Sequence, residues 1–113
     1  MKPFGVGIDV VEIARFRGVL RKKKTRFLER NFSDAERTYC SSYSDAATHF
    51  AGTFAAKEAV VKALGGSAAI EQIEIRRQKN GKPDVWLRGR RSKSVFISIS
   101  HEKSLACAIA IRT

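Results

Sequence analysis

Cysteine, proline and tryptophan are scarce in this sequence, whose 113 residues include two cysteines, two prolines and one tryptophan. Because Cys40 and Cys107 are far apart and lack metal-ligand spacing, we expect reduced thiols in or near the core. No apolar run approaches the roughly 20 residues that a membrane-spanning helix needs. Repeats, linkers and low-complexity tracts are absent as well, which predicts a single domain over residues 1–113.

The N-terminal residues lack the features of a secretory signal. Lys2 and Pro3 lead directly into an alternating segment, without a continuous apolar region or a small-residue cleavage site. We therefore expect a soluble, cytoplasmic protein with no membrane partner. A chain of this length buries only a modest core, so assembly into an oligomer would add to its stability.

Acidic residues are few: 11 Asp and Glu stand against 22 Lys and Arg, which leaves a net charge of +11. This excess predicts an acidic partner. The basic residues are concentrated in two runs, at positions 15–26 and 88–93. Such runs attract nucleic acid, anionic protein surfaces or phosphate-bearing ligands, or they form only a solvated surface, and composition does not choose among these.

The hydrophobic periodicity changes along the chain and predicts an α+β fold. Residues 4–10 alternate as a strand, and residues 11–22 have the spacing of an amphipathic helix whose arginines face outward. A helical turn near Phe27 and a capping box from Ser33 to Glu36 follow, the latter with a structural function. Strands around an Asn-Gly turn at 80–81, and over 95–100 and 105–111, predict an antiparallel meander behind the helices.

The central helix is predicted between an N-cap at Asp45 and the glycines at 65–66. Its apolar residues occur on nearly every side, so Glu58 and Lys62 are expected to point into apolar surroundings. Because these two are four residues apart, they share one face, where a carboxylate can hold a cation and an ammonium a phosphate. A solvated surface pair is the alternative interpretation.

The first strand carries one charged side chain, Asp9, on a face that is otherwise glycine. We expect Gly5 and Gly7 to leave the backbone open to close approach by a ligand or another chain. Asp9 can hold a ligand there, or it can simply cap the helix that follows.

Several segments together resemble the holo-acyl-carrier-protein synthase family of phosphopantetheinyl transferases. They are Gly-Val-Gly-Ile-Asp-Val-Val-Glu-Ile-Ala-Arg at 5–15, Phe-Leu-Glu-Arg-Asn-Phe at 27–32 with Glu36, Phe-Ala-Ala-Lys-Glu-Ala-Val-Val-Lys-Ala-Leu-Gly at 54–65, Gly-Lys-Pro at 81–83 and Ser-Ile-Ser-His at 98–101. The resemblance spans nearly the whole chain and implies the 4′-phosphopantetheinyl transferase-like fold. It also implies an activity, the Mg²⁺-dependent transfer of phosphopantetheine from coenzyme A to a serine of an apo acyl carrier protein, and a homotrimer with active sites between subunits.

The resemblance also implies roles for particular residues. Asp9 and Glu58 would hold Mg²⁺, and Lys62 would stabilise charge on the leaving phosphate and could protonate it. The coenzyme A contacts it implies are Lys57, Gly65, Lys82, Pro83 and His101, although each of these also has an ordinary structural interpretation. Carrier-protein contacts are expected from Arg15 and, by extension along the same basic face, from Arg17, Arg21 and Lys22.

This sequence departs from the family pattern in places. Thr53 stands where the family often has arginine, Gly65-Gly66-Ser67-Ala68 replaces the commoner Gly-Thr-Gly, and Glu102 stands where a small hydroxyl residue is usual. Two alternatives to the enzyme hypothesis follow: a catalytically weak paralogue that binds carrier protein, and a small basic nucleic-acid-binding module. The second leaves Asp9 and Glu58 without a purpose and lacks an aromatic stacking platform, so we expect no nucleic-acid partner.

Overall fold

Two antiparallel sheets and a layer of helices share one hydrophobic core in the structure, a computed structural model that describes residues 4–113. The elements in chain order are β1 (Gly5–Glu12), α1 (Ile13–Arg21), α2 (Thr25–Asn31), α3 (Asp34–Ser41), α4 (Ala46–Ala63), a short 3₁₀ turn (Ile70–Gln72), β2 (Ile73–Arg77), β3 (Pro83–Leu87), β4 (Arg90–Arg91), β5 (Val95–His101) and β6 (Leu105–Arg112).

The strands form two sheets of three, in the orders β1-β6-β5 and β2-β3-β4. All pairs are antiparallel, and the first strand lies beside the last, with Gly5 opposite Arg112 and Glu12 opposite Leu105. The predicted α+β class is confirmed. The pairing divides the predicted meander into two sheets, since β2, β3 and β4 form one and β5 and β6 belong to the other. The N-terminal strand β1 joins the second sheet beside β6.

The glycine face of β1 packs against the backbone of α4. A Cβ added at Gly5 would lie 1.9 Å from the Ala63 carbonyl oxygen, and one added at Gly7 would lie 1.9 Å from the Ala59 carbonyl oxygen. No side chain fits at either position. The expectation that these glycines leave room for a ligand or another chain is therefore wrong, since α4 fills that space.

The apolar face of the β1-β6-β5 sheet is exposed in a single copy of the chain. Phe4, Val6, Ile8 and Val10 each expose more than half of their surface. The neighbouring strands continue this face with Phe96, Leu105, Ile109 and Ile111. We call these eight residues the apolar sheet face. Monomeric proteins rarely expose so continuous an apolar patch, which marks it as an interaction surface.

Local signals in the sequence located most helices and the hairpin correctly. The Ser33 hydroxyl accepts from the Glu36 N–H at 3.1 Å, and the Glu36 carboxylate accepts from the Ser33 N–H at 2.9 Å, which is the predicted capping box. Asp45 precedes α4 as predicted, but its carboxylate accepts a hydrogen bond from the Thr48 hydroxyl, at 2.6 Å, instead of from a backbone N–H.

Within residues 4–113 no helix has the length and apolar character needed to cross a membrane.

Candidate active site

Asp9 and Lys62 meet where β1 crosses α4. Lys62 Nζ lies 3.4 Å from Asp9 Oδ1 and donates a hydrogen bond to the Ile8 carbonyl at 2.8 Å. Because Gly5 lies at Ala63 and Gly7 at Ala59, β1 and α4 run in opposite directions. Asp9, two residues further along the same face of β1, therefore lies beside the preceding turn of α4.

Glu58 comes immediately before Ala59, which Gly7 contacts, and one helical turn before Lys62. Its side chain is half-buried, the Asp9 carboxylate is 19% exposed and the Lys62 side chain is 53% exposed. The structure thus brings Asp9 and Lys62 into contact at the surface and places Glu58 one helical turn before Lys62 on the same side of α4. The expectation that Glu58 and Lys62 point into apolar surroundings is wrong for Lys62, which is exposed, whereas Glu58 is half-buried one turn after the buried Phe54.

The pair of carboxylates fits a magnesium ion. Mg²⁺ keeps several water ligands and is usually held by one or two carboxylates together with substrate phosphates, and not by a cage made only of protein. The described part of the chain contains no group of three or more His, Cys, Asp or Glu side chains that could form such a cage. Asp9 and Glu58 supply the hard oxygen donors, and Lys62 supplies a positive charge for a phosphate.

Lys57, the third charged residue of this part of α4, lies on a different side of the helix. It is 1% exposed, and its Nζ donates to Glu36 Oε1 at 2.8 Å and to the Asn31 carbonyl at 2.7 Å. It also lines a cavity of about 270 Å³ between the end of α2, the 3₁₀ turn, the start of β2 and the turn after β3, which does not include Asp9, Glu58 or Lys62. Direct contact with coenzyme A stays a prediction, and the buried ion pair is an obstacle to it.

Within one copy of the chain, His101 lies apart from Asp9. It is the last residue of β5 and pairs with Ala106, which in turn pairs with Val11, so two strand spacings of about 4.8 Å separate it from β1. Burial, and then the neighbouring Arg77 and His101, lower the pKa of His49 near the start of α4. His49 precedes Glu58 by nine residues, or about 14 Å of helix.

The other predicted coenzyme A contacts occupy two places. Gly65 follows α4 with a φ of +64°, a left-handed conformation that favours glycine, and its N–H donates to the Lys62 carbonyl at 3.0 Å. It therefore lies just past the end of α4 that packs against Gly5. Lys82 and Pro83 instead line a surface pocket of about 380 Å³ beside the start of β5.

The four predicted carrier-protein contacts form an exposed basic face on α1 and the residue after it. The Arg15 guanidinium lies 5.2 Å from the centre of the Phe54 ring and 5.8 Å from that of Phe27. Arg17 pairs with Asp45 at 2.9 Å. Hydrogen bonds from Thr48 and, to a lesser extent, from Arg17 lower the pKa of the Asp45 carboxyl group. The other two members of the face, Arg21 and Lys22, are exposed. The arginines of α1 face outward, as predicted.

The residues that depart from the family pattern are satisfied within the fold. Thr53 is 2% exposed, and its hydroxyl lies 3.5 Å from the Cys40 sulfur. Burial raises the pKa of the Cys40 thiol to about 11, so this thiol is inert near neutral pH. Hydrogen bonds from Ser104 lower the pKa of Glu102. Cys40 and Cys107 are both free thiols, one buried and one half-buried, as predicted.

Comparison with known proteins identifies the class to which this fold and site belong. Residues 5–110 match the model of the 4′-phosphopantetheinyl transferase superfamily. The chain belongs to this superfamily. The resemblance found in the sequence motifs is therefore confirmed, and so is the predicted enzyme class.

Full-length relatives narrow the class further. The holo-[acyl-carrier-protein] synthase of Thermodesulfovibrio yellowstonii is 39% identical over 111 residues, covering 96% of this chain and 97% of that protein. The corresponding synthase of Chlamydia trachomatis serovar L2 is 41% identical over 116 residues, covering 96% of this chain and 98% of that protein.

Solved structures of such synthases have the same fold. The Bacillus anthracis holo-(acyl-carrier-protein) synthase, in complex with CoA (3′,5′-ADP), matches with a TM-score of 0.78 and 35% identity over 96% of this chain and 94% of that one. The Helicobacter pylori synthase in complex with coenzyme A matches with a TM-score of 0.81 and 31% identity over 96% and 99% of the two chains.

Proposed function

We propose that this protein transfers the 4′-phosphopantetheine group of coenzyme A to a serine of an apo acyl carrier protein, with Mg²⁺ as its cofactor. Adenosine 3′,5′-bisphosphate is the other product. The observation that carries this proposal is the contact of Lys62 with Asp9 where β1 and α4 touch through glycine, with Glu58 one helical turn away on the same side of α4, in a chain of this superfamily.

The site residues have separate tasks in this reaction. Asp9 and Glu58 hold the metal, which when bound polarises the pyrophosphate oxygens of coenzyme A and offsets their charge. Lys62 is held against β1 by the Ile8 carbonyl, so its ammonium group is oriented before the substrate arrives. The serine hydroxyl loses its proton to solvent while its oxygen bonds to the phosphorus that carries pantetheine. The bond from that phosphorus to the leaving phosphate breaks, and Lys62 stabilises or protonates the oxygen that leaves.

The full site requires more than one copy of the chain. Gly65 lies beside Lys62, whereas His101, Lys82 and Pro83 lie elsewhere in the same copy. The apolar sheet face offers a surface through which copies can associate, as a homotrimer in this proposal. His101 and the Lys82-Pro83 turn of one copy then contact the coenzyme A molecule whose pyrophosphate is held by Asp9 and Glu58 of another. We place the enzyme in the cytoplasm, where its free thiols stay reduced.

We expect the purified protein, given coenzyme A, Mg²⁺ and an apo acyl carrier protein, to add the mass of one phosphopantetheine group to the carrier. Intact mass spectrometry of the carrier measures this directly, and removal of the metal with EDTA should stop the reaction. A carrier in which the acceptor serine is replaced by alanine is the control and should gain no mass. The absence of any mass shift across several carriers and divalent metals, together with tight, salt-sensitive RNA or DNA binding, would instead support a nucleic-acid-binding module.

The basic face of α1 is the proposed docking surface for the carrier protein. Reversing the charge of Arg15 and Arg21 to glutamate should raise the KM for the carrier by about 10-fold or more, because like charges then face each other across the contact. The KM for coenzyme A should change little. Both constants follow from steady-state rates measured with each substrate varied in turn.

Arg90→Glu is the matched control for this prediction, because Arg90 is an exposed arginine of β4. It reverses one charge at a position outside the basic face, which is the change that Arg15→Glu and Arg21→Glu each make, so the two single variants are measured beside it and the double variant. An equal rise in the two KM values of the Arg15→Glu/Arg21→Glu variant, or an equal effect of Arg90→Glu, would remove the assignment of α1 as the docking surface.

A further inference from the structure

A buried ion pair joins α3 to α4 through the residue that precedes Glu58, on another side of the helix. The Glu36 and Lys57 side chains are 0% and 1% exposed, and Lys57 Nζ lies 2.8 Å from Glu36 Oε1. Burying two charges is costly, and removing one partner leaves the other uncompensated in the interior. The stability of the fold is not an obvious reason for such a pair, because a well-packed apolar pair does equally well in many proteins.

The two charged groups hold four segments of the chain together. Glu36 accepts from the Ser33 N–H at 2.9 Å and, through its other oxygen, from the Ile75 N–H of β2 at 2.7 Å. Lys57 also donates to the Asn31 carbonyl at the end of α2, at 2.7 Å. One carboxylate and one ammonium group therefore connect α2, α3, α4 and β2.

This network fixes α4 on one side, while β1 fixes it on the other. Toward β1 the helix touches Gly7 through the Ala59 carbonyl, with no space for even a methyl group. Toward α3 it is held by Lys57. Glu58 lies between these two attachment points in the sequence of α4. The spacing between Asp9 and Glu58 therefore depends on how α4 is held against β1.

We propose that Glu36 and Lys57 are positioning residues for phosphopantetheinyl transfer, which set the distance between the two metal-binding carboxylates. This inference rests on the proposed function. Without its partner, either member of the pair pulls toward water, so α4 shifts or turns relative to β1. A misplacement of about 1 Å at a reacting centre can lower the rate by about 100-fold. Lys57 then acts through Glu58, and not by contact with coenzyme A.

The test uses Glu36→Gln and Lys57→Met in the full-length protein. Both variants should lower kcat by about 10-fold or more, while the KM for coenzyme A stays within about threefold of that of the unsubstituted protein. Both should also weaken the binding of Mn²⁺ by about 10-fold in the absence of turnover. Electron paramagnetic resonance of free Mn²⁺, measured with coenzyme A present and carrier absent, reports this binding.

Asp34→Asn is the matched control, since Asp34 is an exposed carboxylate on the same helix that pairs with Arg37. It should leave kcat and Mn²⁺ binding unchanged. If the two variants do not fold, Glu36→Asp keeps both charges but shortens the reach of the carboxylate, and it should lower kcat in the same way.

Three other results would overturn this inference. Folded variants with the kcat and Mn²⁺ affinity of the unsubstituted protein would show a purely structural role. A raised KM for coenzyme A in Lys57→Met alone would show that Lys57 contacts the substrate. If the unsubstituted protein transfers nothing, the proposed function is wrong, whatever the variants do. Unchanged Mn²⁺ binding in the variants would then show that Glu36 and Lys57 have no positioning role either.

Discussion

Asp9→Asn and Glu58→Gln are each expected to lower kcat by at least about 100-fold, the loss typical for a group that stabilises charge in the transition state. Both substitutions keep the size and shape of the side chain and remove only its negative charge. The amide that replaces either carboxylate is a poor ligand for Mg²⁺, so the pyrophosphate of coenzyme A loses its bound cation. Initial rates at saturating Mg²⁺, coenzyme A and carrier measure the effect.

The fold should survive both changes, since the site lies at the surface. The Asp9 carboxylate contacts an ammonium group that is 53% exposed, and pairs of this kind contribute at most about 1 kcal/mol to stability. Thermal unfolding should therefore shift by only a few degrees. A large drop in Tm would instead attribute the lost activity to unfolding.

Asp84→Asn provides a closely matched control for Asp9→Asn. Asp84 lies 3.4 Å from Arg91, with side-chain exposures of 19% and 57%, while the Asp9–Lys62 pair has the same distance and exposures of 19% and 53%. The two substitutions thus remove equivalent ion pairs, of which only one is at the proposed metal site. Asp84→Asn should keep nearly full kcat, and any effect should fall on the KM for coenzyme A, since Asp84 lines the pocket that contains Lys82 and Pro83. Full activity in Asp9→Asn as well would mean that the metal is held elsewhere.

The sequence predicted the elements of this fold better than the directions in which they face. The strand β1 was recognised from the alternation of residues 4–10, because the period of two is a local property. The expectation that its glycine face stays open to a ligand or another chain was wrong. Two glycines allow α4 to approach at backbone contact, so the core forms on the glycine side, and Val6, Ile8 and Val10 on the opposite side remain exposed.

The sequence likewise predicted the local features of the site but not its long-range contacts. Glu58 and Lys62 share a helical face by their spacing alone, and this was predictable. The contact of Lys62 with Asp9 joins residues 53 positions apart and appears only in the fold. Glu36 was predicted as a capping residue, which is correct, but a capping box contains no signal for its further contacts with Lys57 and Ile75.

Association through the apolar sheet face leads to a second large expected effect. Ile8 and Ile109 are paired neighbours on this face, with exposures of 55% and 38%. Replacing both by glutamate places two like charges on an apolar surface without disturbing the core of the single copy. We expect the variant to be monomeric by sedimentation velocity and at least about 100-fold less active, because substrate-positioning contacts are lost.

A mixing experiment tests whether copies share one site. Glu58→Gln and His101→Ala should each be slow alone, the first through its metal site and the second through the proposed contact with coenzyme A. If His101 serves the site of a neighbouring copy, oligomers co-expressed with both variants contain sites that have an intact Glu58 from one chain and an intact His101 from the next. About one quarter of the sites should be restored by random association in a closed ring.

Co-expression of Glu58→Gln with Asp9→Asn is the control for shared sites. Asp9 and Glu58 belong to the same site within one copy, since β1 and α4 of that copy pack together. Mixing these two variants can therefore restore nothing. Recovery in this control, or none with the His101→Ala pair, would refute the shared site. Recovery only with the His101→Ala pair would mean that a neighbouring copy completes each active site. That arrangement would explain both the exposed apolar face and the separation of His101 from Asp9 within one copy.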